Sequence, residues 1–163
     1  MKVLRWFLAW MTAVLVTASI GSVIQTQINI ARITGLGVDV SLGQRLATSA
    51  QDLLGFAPLW AIIVAAGLLV ALLVASGLAR RWPARSLSLH IFAGFAAPMV
   101  ALLVMDAMLP VTVMAAARTW SGLVLISLPG AVGGWLYVVL LYRQKGQIFH
   151  QAAQRNVSSQ AGN

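Results

Sequence analysis

The sequence predicts an all-α integral membrane protein, a bundle of four transmembrane helices with a short amphipathic interfacial helix on the outer side. Composition is the first observation behind this. Of 163 residues, 60% are hydrophobic and 9% are charged, whereas soluble domains are about 45–50% apolar and about 25% charged. Too little polar surface remains to face water all round. The second observation is run length: 53–79 and 121–142 contain no charged residue, and about 20 helical residues cross a bilayer core. The third is pattern. These runs are apolar on every side, without the alternation of a barrel strand, and backbone groups in lipid must find partners inside their own segment.

The first span is read at about 6–24. Lys2 and Arg5 precede it as in a secretory signal, and Ala18, Ser19, Gly21 and Ser22 supply small residues of the cleavage-site kind. The apolar run is longer than a usual signal core, so the segment is read as an uncleaved signal-anchor. An outer polar segment, 25–54, follows. Gly35-Leu36-Gly37 reads as a turn, and Ser41 as the N-cap of a helix reaching about Leu54. Leu42, Leu46 and Leu53 share one side of that helix; Gln44, Arg45, Thr48, Gln51 and Asp52 populate the other. Such a helix beside a bilayer is expected to lie flat on it, the plainer reading being a connector.

The second span is placed at 55–79, with Pro58 near its first turn, where a missing N–H costs little. The link Arg80-Arg81-Trp82-Pro83-Ala84-Arg85 leads to the third span, 87–109, with Pro98 near its middle and Pro110 ending or kinking it. The fourth, 121–142, contains Pro129. Residues 1–145 form one membrane domain and 146–163 a polar cytoplasmic tail, frayed beyond His150.

Orientation follows Lys and Arg near the span ends. Lys2, Arg5, Arg80, Arg81, Arg85, Arg143, Lys145 and Arg155 share one side of this topology; Arg32, Arg45 and Arg118 lie on the other, together with Asp39, Asp52 and Asp106. Both termini are therefore expected in the cytoplasm, and the net charge of +8 on the cytoplasmic face. The partners expected there are the bilayer and its anionic headgroups, each base contributing about 1 kcal/mol near a charged surface. Short basic links flush with a bilayer offer no groove for nucleic acid. The Arg-rich, Ala/Leu/Val-rich composition points to a bacterial inner membrane. Tryptophans near the span ends, with Tyr137 and Tyr142, read as an interfacial belt.

Most chemistries are excluded. There is no cysteine, hence no thiolate, disulfide exchange or cysteine-ligated cluster. Four spans with a polar segment after the first resemble the quinone-linked disulfide oxidases in layout alone, and the missing cysteines exclude that activity. No phosphate-loop or dinucleotide motif is present. The chain has two histidines and no glutamate, so no metal, haem or other cofactor is expected. His90 and Asp106 are 16 residues apart on one helix, about 24 Å, too far for a triad, and no catalytic residue is assigned. His90 and His150 are read as interfacial.

Two features remain. Gly130 and Gly134 form a small-residue pair suited to close helix packing, in the bundle or in a dimer. Asp106, near membrane depth, is a functional candidate by default, with Arg118 as its expected partner. Asp52 and Arg45 would form a second pair, and Gln25 and Gln27 would complete an outer polar cluster able to take a small polar ligand or simply to clamp the helix ends. The function expected first is a non-enzymatic accessory or scaffold subunit of a membrane complex, with a membrane-protein partner or a homo-oligomer. The alternatives are a small transporter, channel or lipid-handling protein using the outer cluster, and an envelope lipid-modifying enzyme.

Overall fold

The computed structural model describes residues 2–108 and 118–161, and side chains over 3–108 and 118–141. Among these residues there are four long helices: α1 (Lys2–Gly35), α2 (Leu42–Arg81), α3 (Ser86–Met108) and α4 (Trp120–Ala161), with one 3-10 turn, Pro83–Arg85, between α2 and α3. All four are long and apolar enough to cross a membrane. Each packs on its chain neighbours, and α1 closes the ring against α4. The expected link end at Leu109 and Pro110, and the side chains of Arg143, Lys145, His150 and Arg155, lie outside the described residues.

The centre of the bundle is one buried cluster that combines small residues of α1 (Ala9, Ala13, Ala18) with large residues of α2 (Trp60, Val64, Leu68, Leu72). The α2 residues recur every four positions, the ridge that an α-helix presents to a partner. Outside this stripe α2 exposes Leu59, Ile62, Val70 and Val74. In water that surface would be a liability; against lipid it is the expected exterior.

Helix lengths depart from the sequence reading. The first helix does not stop at Ile24 but runs to Gly35, and the helix capped by Ser41 does not stop near Leu54 but continues through the second span to Arg81. The segment 25–54 is thus a helical hairpin, and among the described residues it contains no separate interfacial helix. Ser41 does cap α2: its hydroxyl accepts from the Gln44 N–H, and the Gln44 side chain accepts from the Ser41 N–H, a capping box. The turn falls at Leu36 and Gly37, where Gly37 has φ +90, a conformation that needs glycine. A lone Gly55 costs a helix only about 1 kcal/mol. Pro58 sits well inside α2 rather than in its first turn, leaving the exposed Leu54 without its helical donor. At the other end of the chain α4 remains helical to Ala161, where a frayed tail was expected.

The hairpin overhangs the bundle. With 34 and 40 residues, α1 and α2 span about 51 and 60 Å; α3, with 23 residues, spans about 35 Å, close to the bilayer core alone. The excess cannot lie where α2 meets α3, because only four residues, Trp82 to Arg85, join them there. It projects at the α1–α2 turn.

The aromatic belt also needs correction. Trp60 and Tyr137 are buried, at 0% and 1% exposure, whereas Trp82, Trp120 and Trp135 stay exposed.

Candidate functional site

The outer cluster read from the sequence divides. On the hairpin, the Thr26 hydroxyl donates to Asp52 at 2.6 Å and the Gln27 amide to the Ser49 hydroxyl at 3.2 Å. These bonds tie α1 to α2. Gln25 turns inward, 6% exposed, and its Oε1 has no hydrogen-bond partner among the described residues. Arg45 is half-buried one turn before Ser49, whose hydroxyl donates to the Arg45 carbonyl. Asp106 and Arg118 are both exposed, on the last turn of α3 and just ahead of α4, and no ion pair joins them among the described residues. The six residues therefore share one end of the molecule, and none of them lines either of the two cavities found among the described residues.

The polar residues that do converge lie at the opposite end, where α2 turns into α3. Ser76 and His90 are each seven residues from Pro83 along the chain, so an antiparallel pair of helices brings them side by side. Ser76 Oγ is 3.1 Å from His90 Nε2, and His90 Nδ1 is 2.7 Å from the Ser86 carbonyl oxygen. A carbonyl can only accept, so Nδ1 carries a hydrogen. In the neutral ring Nε2 is then an acceptor and the Ser76 hydroxyl donates to it. His90 is 5% exposed, and both its nitrogens are satisfied, as burial demands.

The glycines of α4 complete this arrangement. A methyl group at Gly134 would overlap the His90 carbonyl oxygen, and one at Gly130 the Gly94 carbonyl. That second carbonyl has lost its helical donor to Pro98, and a Gly130 Cα–H can approach it. One helical turn from Gly134, Tyr137 stacks on the imidazole, ring centres 5.6 Å apart and planes 25° off parallel. Ser76 and Trp6 both hydrogen-bond the Tyr137 side chain. Gly133 faces the other way, with Thr17 of α1 in the space a side chain would need. The glycine-dense stretch thus seats α4 against α3 on one side and α1 on the other.

A cavity of about 250 Å³ opens over this network. Ser76, Ala79 and Arg80 of α2 line it, with Pro83, Ser86 and His90, and Val138 and Leu141 of α4. Arg80 is exposed at its rim. Drug-sized pockets run from about 300 Å³ upward, so this one suits a headgroup-sized moiety. Ser76 with His90 also has the contacts of a nucleophile and its base. A pair of backbone donors for an oxyanion is not found beside them, since the surrounding N–H groups lie within helices. Binding is the better supported chemistry.

No family model matches the chain, and no curated protein or solved structure matches it either. The functional reading rests on the site alone. Sequence reasoning passed over Ser76 and Ser86, placed Tyr137 in the interfacial belt and left His90 as a bland interfacial residue. The signal that could have found the pair is its equal spacing about Pro83.

Proposed function

We propose that this chain is a polytopic protein of the bacterial inner membrane, with both termini in the cytoplasm, that binds the polar head of an amphiphile in the cavity between α2, α3 and α4. It is a lipid-handling or carrier protein on this reading, not an enzyme. The observation that carries it is the Ser76–His90–Ser86 network, with His90 and Ser86 buried and Ser76 half-buried, opening beside Arg80 into a cavity with apolar walls. A buried histidine bonded through both nitrogens is costly to arrange in a purely structural contact, where an apolar side chain would pack as well. Depth also supports it: Ser76 lies five residues before the end of α2, about 7.5 Å, so an entering headgroup would keep its tail level with the lipid acyl chains. The excess of Arg and Lys at this end supports the orientation.

The accessory-subunit reading keeps one observation of its own. The α1–α2 hairpin overhangs the bundle and exposes Leu36, Leu42 and Leu46, a surface that a larger assembly would cover. One experiment separates the readings. The tagged protein is extracted at native expression level in a mild detergent and analysed intact by native mass spectrometry. Retention of an amphiphile, lost on Ser76→Ala, is expected. A protein partner at fixed stoichiometry with no amphiphile would instead favour the accessory subunit.

A further inference from the structure

Resting on the ligand-binding reading, we propose that the cavity selects a phosphate group, as carried by an anionic lipid headgroup. Charge is the first argument. Among the described residues Arg80 is the one permanently charged side chain lining the cavity, and a guanidinium matches phosphate oxygens in a bidentate fork. No carboxylate opposes it: the chain has no glutamate, and Asp39, Asp52 and Asp106 lie at the hairpin end of the helices. The apolar walls, Ala79, Val138 and Leu141, fit the start of a lipid tail.

The test uses the full chain in nanodiscs of phosphatidylcholine, with phosphatidic acid or phosphatidylglycerol added as probe, and reads bound lipid by native mass spectrometry. Inorganic phosphate without added anionic lipid is run in parallel. The expected result is one anionic lipid held in preference to phosphatidylcholine. Arg80→Gln should weaken binding about tenfold, the loss of roughly one charge-assisted hydrogen bond. Arg81→Gln, exposed beside it but outside the cavity, should not. Binding of inorganic phosphate alone would make free phosphate the source; a requirement for the acyl chain would make it the headgroup. Lipid held without regard to charge would overturn the phosphate inference and leave the amphiphile reading intact. Equal losses from Arg80→Gln and Arg81→Gln would reduce the effect to surface charge and overturn it too. Retention of no lipid or phosphate would overturn both.

Discussion

Buried polar atoms are the costliest details at the scale of single residues. Ser22 Oγ, Gln25 Oε1 and the indole nitrogen of Trp60 are buried without a hydrogen-bond partner among the described residues, and an unsatisfied buried group costs about 1–3 kcal/mol. They are close together. The Trp60 indole nitrogen lies 2.7 Å from the point where a Gly21 side chain would begin, and Ser22 and Gln25 flank that glycine on α1. Glycine at 21 is therefore a packing requirement. Gly21→Ala should push the rigid indole aside and lower stability by about 1–3 kcal/mol, read as a lower thermal midpoint in detergent. Ser22→Ala should act in the opposite direction, raising the midpoint by the equivalent of about 1 kcal/mol, because it removes a hydroxyl that no protein atom satisfies. A fall in the Ser22→Ala midpoint would mean that the hydroxyl has a partner, and would count against this account of the site.

Pairs of helices meet through glycine at the next scale, and position decides what each glycine does. Gly94 and Gly130 approach so closely that a side chain on either would strike the other's backbone carbonyl, whereas nothing lies within 4 Å of a side chain at Gly55 or Gly77. Gly94→Ala and Gly130→Ala should each separate α3 from α4 and lower the yield of folded protein. Gly55→Ala and Gly77→Ala should leave it unchanged or raise stability by up to about 1 kcal/mol, through helix propensity. If all four behaved alike in a thermal-shift series, close helix approach would not be what these positions supply. The contrast also marks what the sequence could convey. Four apolar segments were legible because length and composition suffice to define them. The pair Gly130 and Gly134 was visible too, but the carbonyls it faces, of Gly94 and His90, were not. The hairpin was misread because residues 25–54 have the polar composition of a connector or an interfacial helix. Bonds such as Thr26 to Asp52, 26 positions apart, decide between these, and no local pattern records them. The candidate site was hidden for the same reason. Tyr137 next to a span end reads as a belt residue until the approach of Gly134 to α3 turns it onto His90.

The whole molecule is polarised along its long axis, and this makes its orientation testable. Arg80, Arg81 and Arg85 sit at the end where α2 joins α3, and the N-terminal Lys2 and Arg5 start α1 at that same end. The hairpin end carries Arg32, Asp39, Arg45 and Asp52, which balance. A bilayer held by the positive-inside bias would therefore keep the α2–α3 link in the cytoplasm and project the hairpin outward, with the cavity drawing on the inner leaflet, whose anionic lipids concentrate near basic residues. The chain has no cysteine, so a single introduced thiol reports its own position without background. Leu36 on the hairpin turn and Ala84 in the link are both exposed and suit this purpose. In spheroplasts, a membrane-impermeant maleimide should label Leu36→Cys at once and Ala84→Cys only after permeabilisation. The reverse pattern would invert the orientation and move the Ser76–His90 cavity to the outer leaflet. Immediate labelling at both positions would mean that the α2–α3 link is not sealed from the outside, and a cytoplasmic binding site could not then be maintained.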